Sequence, residues 1–103
     1  MWLWRADHVA NGLANFCEHG ILIKGDDVTM YGLAVEHTYK ELLQWSGERG
    51  KTYFYQSELP YGVTQDEWPS SWSGYRVNQS VIEHDAYGVG VYTYFRYLNP
   101  NKP

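Results

Sequence analysis

The sequence predicts an all-β protein whose short strands stack as coils of a parallel β-helix. Runs rich in β-branched and aromatic residues recur along the 103 residues and are separated by Gly, Asn, Asp and Pro, which is typical of strands and turns. Tyr31, Tyr53 and Tyr75 follow one another at equal intervals, and Leu42 follows Ile21 at nearly the same interval. An interval in the low twenties leaves no room for crossover helices and matches one coil of such a solenoid.

The individual strands follow from these runs and from the turn residues between them. A small antiparallel β-sandwich or jelly roll is the alternative, but no two-residue Asn-Gly or Asp-Gly turn directly joins two predicted strands. A short helix over Ala10–His19 is a further alternative, because Leu13 and Phe16 could share one face. The predicted strands are Trp2–Arg5, Ile21–Lys24, Val28–His37, Leu42–Trp45, Thr52–Glu58, Tyr75–Val77, Val81–His84 and Gly88–Arg96.

The interval 59–74 is the longest stretch without strand character. It contains two Pro, three Ser and two Trp, which predicts an exposed loop that displays aromatic side chains. Long loops in compact domains are usually functional or disordered. The remainder of 1–103 is expected to form a single β-helix segment.

Composition excludes several classes of partner. The formal net charge is −4, and the eight Lys and Arg residues do not cluster, so we expect no nucleic-acid partner. No apolar run approaches the roughly 20 residues that span a bilayer, so no membrane partner is expected either. The single Cys17 cannot form an internal disulfide.

Each of the four histidines directly follows an acidic residue. Adjacent residues on a strand face opposite sides, so such a pair lines one cleft only where the strand ends or is kinked. The simplest interpretation is that the pairs cap strand ends through hydrogen bonds to the turn backbone. The pairs are Asp7–His8, Glu18–His19, Glu36–His37 and Glu83–His84.

The functional interpretation is a row of carboxylates at equivalent positions of stacked coils, about 4.8 Å apart. Such carboxylates raise one another's pKa, and a glycosidase needs two of them about 5 to 10 Å apart. A metal site formed by His8, His37 and His84 lacks any supporting ligand spacing, so no metal or other cofactor is expected. The candidate catalytic residues are Glu36, His37, Glu58, Glu83, His84 and Asp85.

Aromatic residues make up 17% of the chain, with five Trp and ten Tyr. These side chains combine a flat apolar face with a polar tip, which suits stacking on sugars. Packing in the core is the alternative for each of them, as is a place in an aromatic ladder. The residues expected in such a ladder are Tyr53, Tyr55, Tyr92 and Tyr94. The candidate sugar-binding residues are Trp45, Tyr53, Tyr55, Trp68 and Trp72.

Four stretches in order resemble one known group: "WLWRADH" (2–8), "GDDVTMYGLAVEH" (25–37), "GKTYFYQSELPY" (50–61) and "HDAYGVGVYTYFR" (84–96). They are similar to pectate-lyase-like, right-handed parallel β-helix proteins akin to exo-β-1,3-glucanase-type glycoside hydrolases. The resemblance implies a right-handed β-helix, a polysaccharide or oligosaccharide ligand and an extracellular location. Glu36 and Glu58 lie inside the matching stretches.

Members of that group are several hundred residues long, so the resemblance implies that this chain forms about four coils of a longer solenoid. A solenoid repeat buries its faces only against neighbouring repeats. We therefore expect the segment to need flanking coils or self-association, and to be inactive as a hydrolase by itself. The alternative function is a non-catalytic glycan-binding or structural β module.

Overall fold

The structure, a computed structural model, describes residues 1–5, 15–61, 63, 68 and 72–94. Every regular element in these ranges is a strand, and none of the described residues forms a helix that could cross a membrane. The strands are β1 (Trp2–Trp4), β2 (Ile21–Ile23), β3 (Thr29–Tyr31), β4 (Ala34–Glu36), β5 (Leu43–Trp45), β6 (Gly50–Glu58), β7 (Arg76–Val77) and β8 (His84–Tyr92).

All strand pairs among the described residues are parallel, which confirms an all-β fold and excludes the antiparallel alternative. One sheet has the order β1-β4-β6-β3, with β8 also paired to β6, and the other has the order β2-β5-β7. Tyr31 pairs with Tyr53 and Glu36 with Glu58, which confirms the predicted interval between strands at these positions. Successive segments therefore return to the same sheet in the same direction.

The larger sheet bends at one residue of each contributing segment. Gly32, Phe54 and Gly88 have φ angles of 61°, 58° and 68°, in the left-handed region. The register places these three residues next to one another, so the bend repeats across the strands. For this reason the predicted strand Val28–His37 is two strands, β3 and β4, which both pair with the long strand β6.

The core consists of side chains that stack in register between the sheets. Leu33 lies opposite Tyr55, and Val35 lies opposite Ser57, with all four buried. Trp45 is fully buried and packs so closely on Gly50 that a Cβ at Gly50 would lie 2.3 Å from the indole Nε1. A larger residue at Gly50 would therefore displace the buried ring of Trp45.

The spacing expectations hold for the first repeat and fail for the next. Ile21 pairs with Leu43 rather than with Leu42, so the interval there equals the interval between Tyr31 and Tyr53. Tyr53 pairs with Tyr87 and not with Tyr75, so the second interval is longer than the first. The segment 59–74 accounts for most of this difference because it lengthens the connection between β6 and β7.

Three further expectations differ from the structure. Residues 81–83 do not form a strand of their own, since β8 begins at His84. Residues 15–19 are not helical, and the rest of the alternative helix lies outside the described residues. Within 59–74, Leu59, Val63 and Trp68 are 7%, 3% and 5% exposed, so the prediction of an exposed loop is wrong for these residues, which fold back onto the core.

Candidate functional site

Two carboxylates and a histidine meet where β4 and β6 end. Glu36 and Glu58 are paired residues on these adjacent strands. This agrees with the expectation that carboxylates at equivalent positions of stacked coils are neighbours. His37 follows the last residue of β4 and has a left-handed φ of 65°, so its side chain is not forced to the face opposite Glu36. Ligand-type atoms of Glu36, His37 and Glu58 lie within 4.8 Å of one another. We refer to these three residues as the acid–histidine cluster.

His37 is the buried member of the acid–histidine cluster, with 1% of its surface exposed. Its Nε2 lies 3.3 Å from Oε2 of Glu58, and its Nδ1 lies 3.3 Å from the carbonyl oxygen of Arg5. The backbone N–H of His37 donates to the Glu58 carbonyl at 2.8 Å, and Nε of Arg5 donates to the His37 carbonyl. These bonds tie together three segments that are distant in sequence.

Both ring nitrogens of His37 face oxygen atoms that accept hydrogen bonds. A neutral imidazole carries one N–H, so it can donate to only one of the two oxygens. The second contact needs another proton, carried either by His37 or by the carboxyl group of Glu58. Both contacts of the His37 ring are therefore hydrogen bonds only when the pair carries this additional proton.

Glu58 is oriented by two more side chains. The Tyr61 hydroxyl donates to Oε2, and Nε2 of Gln56 donates to Oε1 at 3.3 Å. Burial and the bond to Glu58 raise the pKa of Tyr61, which keeps its phenol protonated as a donor. The Glu58 side chain remains 24% exposed, so a ligand in solution can reach it.

The aromatic rings beside the acid–histidine cluster give it one apolar wall. Tyr61 packs edge-on against His37, with ring centroids 4.5 Å apart, and against Tyr92 and Tyr94 at 6.3 and 5.7 Å. Tyr92 also occupies the position on β8 that pairs with Glu58.

The acid–histidine cluster also has the residue types of a metal site, because carboxylates and imidazole can coordinate divalent metals. The hydrogen bond between His37 and Glu58 already explains why these two side chains lie close together.

The other predicted catalytic residues lie elsewhere. His84 pairs with Gly50 at the opposite end of β6 from Glu58, so Glu83, His84 and Asp85 do not join the acid–histidine cluster. The row of carboxylates expected at equivalent strand positions therefore brings Glu36 and Glu58 together but does not include Glu83. Nε2 of His84 instead shares a hydrogen bond with the Tyr75 hydroxyl, and burial lowers the pKa of His84 against the opposing effect of Asp85.

Three of the predicted sugar-binding residues have no exposed ring face. Trp45, Tyr55 and Trp68 are 0%, 2% and 5% exposed, so the predicted stacking role is wrong for them. The Tyr55 hydroxyl donates to the Gly74 carbonyl at 2.6 Å, and Nε1 of Trp68 donates to the carbonyl of Thr38 at 3.2 Å. These bonds satisfy the polar tips of the Tyr55 and Trp68 rings.

The remaining two aromatic candidates are half-buried. Trp72 packs edge-on against Trp68, with centroids 6.0 Å apart. Tyr53 is the middle member of a ladder in which it stacks on Tyr31 at 5.2 Å and on Tyr87 at 5.3 Å. The aromatic ladder expected from the sequence exists, but it consists of Tyr31, Tyr53 and Tyr87.

Sequence reasoning did not single out Arg5 or Tyr61 as site residues. Arg5 is 32 residues from His37 in the sequence, and no local sequence pattern predicts their contact. Tyr61 lies three residues after Glu58, in the "ELPY" of a resembling stretch, so its proximity was the one signal available.

The chain is an all-β protein of parallel strands, with a polar cluster where two adjacent strands end. The family model of the LAM55 pectate lyase-like domain matches residues 1–58, and the chain belongs to this family. This confirms the resemblance found in the sequence.

The similar proteins include a glucanase. The chain is homologous to an exo-beta-1,3-glucanase of Streptomyces sp. (strain SirexAA-E / ActE), with 42% identity over 97% of this chain and 18% of that protein. The structure of sacteLam55A from Streptomyces sp. SirexAA-E matches with a TM-score of 0.88 and 40% identity, over 96% of this chain and 19% of that one. A variant of sacteLam55A in complex with glucose matches equally well. The chain thus spans about a fifth of the length of these relatives.

Proposed function

We propose that this chain supplies the general acid of a β-1,3-glucan hydrolase, and that Glu58 is that acid. The observation that carries the proposal is the hydrogen bonding of the His37–Glu58 pair, which needs one proton more than a neutral imidazole provides. A general acid must hold a proton and still reach the substrate. Glu58 meets both needs, because it contacts the buried His37 and is itself partly exposed.

In this proposal Glu58 donates its proton to the glycosidic oxygen as the bond from that oxygen to the anomeric carbon breaks. Tyr61 and Gln56 hold the carboxyl group in one orientation throughout. A water molecule supplies the oxygen that bonds to the anomeric carbon and loses one proton to the solvent. The Glu58 carboxylate then takes up one proton from the solvent and regains its acid form, with His37 as its hydrogen-bond partner. Ligand-type atoms of Glu36 and Glu58 lie within 4.8 Å, closer than the about 6.5–9.5 Å between the acid and base of an inverting glycosidase. Glu36 is therefore not the base of an inverting pair with Glu58.

The fold proposed with this function is about four coils of a right-handed parallel β-helix, within a longer solenoid. The repeated register and the parallel pairing support it. Val89 and Val91 lie over the buried Tyr55 and Ser57, yet they are 40% and 46% exposed, which supports a further strand on β8. Flanking coils or a second copy would supply it. An extracellular location is part of the same proposal.

A non-catalytic glycan-binding module is the competing function. The aromatic platform expected for sugar stacking loses two of its members, because Trp45 and Trp68 are buried. The hydrolase proposal accounts for a buried histidine on a partly exposed carboxylate, which a stacking platform does not require.

Replacement of Glu58 by Gln in the full-length protein tests the assignment. We expect Glu58→Gln to reduce laminarin hydrolysis by about 10²- to 10⁴-fold, the usual contribution of a general acid, without loss of cooperative unfolding. Glu18→Gln is the matched control, because Glu18 is exposed and pairs with Lys40 away from the acid–histidine cluster. It should hydrolyse laminarin at the wild-type rate. Full activity of Glu58→Gln would exclude Glu58 as the acid, and a wild-type protein that binds laminarin without releasing products would favour the binding module.

A further inference from the structure

A second polar site lies at the end of β6 that is remote from Glu58. It is a surface cleft of about 370 Å³ on the outer face of β3, β6 and β8. The function proposed above makes no use of it. The residues that line the cleft are Asp27, Thr29, Arg49, Lys51, Glu83, His84 and Asp85.

The lining side chains are ordered by the strand register. Thr29, Lys51 and Asp85 are paired residues on three adjacent strands, and Tyr31, Tyr53 and Tyr87 follow two positions later. Residues two apart on a strand share a face, so these two rows lie side by side on one surface. The same offset places Asp27, Arg49 and Glu83 in a third row, in which the Arg49 backbone N–H donates to the Glu83 carbonyl at 2.9 Å.

The cleft offers fixed donors and acceptors next to each other. Asp27 holds the Arg49 guanidinium through two hydrogen bonds of 2.7 and 3.0 Å. Lys51 and Asp85 are exposed, and no ion pair joins them in the part of the chain that the structure describes. Nδ1 of His84 is buried beside the cleft, without a hydrogen-bond partner among the described residues.

This pattern suits hydroxyl groups, each of which both donates and accepts a hydrogen bond. Arg49 and Lys51 supply donors, and the three carboxylates of Asp27, Glu83 and Asp85 supply acceptors. With neutral His84, two cations and three carboxylates leave a formal charge of −1, which disfavours a polyanionic ligand. The charge balance therefore favours a neutral polyhydroxylated ligand.

The dimensions of the surface suit a chain rather than a single sugar. Adjacent strands are about 4.8 Å apart, so a glycan that lies across the strands meets equivalent positions at each step. The tyrosine ladder borders the polar rows, and its rings stack on one another, so it presents ring edges and hydroxyl groups to this side.

We propose that the outer face of β3, β6 and β8 is an auxiliary binding site for a neutral glucan chain, distinct from the acid–histidine cluster. This inference rests on the proposed glucan-directed function. The site would keep the polysaccharide on the protein while hydrolysis takes place at Glu58. Its chemistry predicts preference for laminarin over polygalacturonate.

The test is gel retardation of the full-length protein by laminarin, with polygalacturonate as the anionic comparison. We expect Lys51→Ala and Asp85→Ala each to weaken laminarin retardation by about 5- to 50-fold, because each variant loses a hydrogen bond between a charged group and the glucan. Lys24→Ala is the control, since Lys24 is equally exposed but lies next to β2, outside the cleft. Thermal unfolding of each variant verifies that it is folded.

Retardation of Lys51→Ala and Asp85→Ala equal to that of Lys24→Ala would overturn the auxiliary site, as would wild-type retardation by polygalacturonate that equals retardation by laminarin. Product release by the wild-type protein, measured alongside retardation, separates this inference from the proposed function. If Lys51→Ala weakens laminarin retardation but the wild-type protein releases no product, the cleft is supported and the hydrolase is rejected. Product release by a wild-type protein whose laminarin retardation is unaffected by Lys51→Ala and Asp85→Ala would support the hydrolase and reject the cleft.

Discussion

The two ends of β6 present opposite kinds of polar site on one strand. At its carboxyl end, Glu58 contacts His37, which is 1% exposed, and receives hydrogen bonds from Tyr61 and Gln56. At its amino end, Lys51 lies in an open cleft among exposed charges. The sheet and the neighbouring strand β8 are the same at both ends.

The difference between the two ends is burial. In the cleft, the hydrogen bond from Arg49 lowers the pKa of Asp27, which favours its charged form. Beside Glu58, burial raises the pKa of Tyr61, which favours its neutral form. Solvated charges suit the proposed recognition of hydroxyl groups, whereas a buried hydrogen-bond network suits the proposed proton transfer. Three predictions separate these two situations.

The largest effect is expected at the buried end. His37→Ala should lower the free energy of unfolding by about 3 kcal/mol, because it removes a buried ring and leaves its polar partners unsatisfied. Urea titration of the full-length protein measures this change.

His37→Asn is the matched variant, since Asn tolerates the left-handed φ of 65° and keeps a polar tip. We expect it to lose less stability than His37→Ala. A cost within about 0.5 kcal/mol for His37→Ala would show that the network does not support the fold.

An intermediate effect is expected from Tyr55, a buried phenol in the middle of β6. Burial raises the pKa of Tyr55 above the ordinary value of 10.0, so its contribution to stability is fully present below pH 10.0 and is lost as the pH rises towards its folded-state pKa. Tyr55→Phe should flatten the alkaline fall in unfolding free energy by up to about 1.4 kcal/mol per pH unit.

Urea titrations at a series of alkaline pH values measure that slope for Tyr55→Phe. Tyr31→Phe is the control, because Tyr31 is 73% exposed at the edge of the ladder, and its slope should match the wild type. The loss of the hydrogen bond from Tyr55 to Gly74 adds a cost that does not depend on pH. An unchanged slope in Tyr55→Phe would assign the alkaline transition to other groups.

The smallest effect is expected in the cleft. Arg49→Gln should let the pKa of Asp27 return towards 3.8, because the guanidinium that lowers it is gone. The present contribution of Asp27 to stability exists above pH 3.8 and is lost as the pH falls through its lowered pKa, so the variant should be less sensitive to acid.

An NMR titration of Asp27 follows this pKa directly, with Lys24→Gln as an exposed control. Because the pair is exposed, the change in the urea midpoint at neutral pH should be small and should diminish further at high salt. A large loss of stability in Arg49→Gln would mean that the cleft supports the fold in the same way as the buried end.

Much of the fold could be predicted because residues of similar chemistry recur at equivalent positions of successive repeats. The interval between Tyr31 and Tyr53 is a real strand pairing, and the parallel sheet follows from it. The bend at Phe54 could not be predicted, because "TYFY" is a run of strand-forming residues without a Gly, Pro, Asn or Asp that would indicate a turn. The pairing of Tyr53 with Tyr87 could not be predicted either, because the pattern of residues within strands does not determine the length of the connections between them.

The sequence by itself determined that Glu36 and Glu58 would meet, because equivalent strand ends in a regular repeat must be neighbours. Only the tertiary structure decided that His37 would turn towards Glu58, with Arg5 held against it from 32 residues away. It also decided that Trp45 and Trp68 would be buried, although their positions suggested exposure. Periodicity is a local property of the chain, whereas burial depends on which distant segments cover a residue.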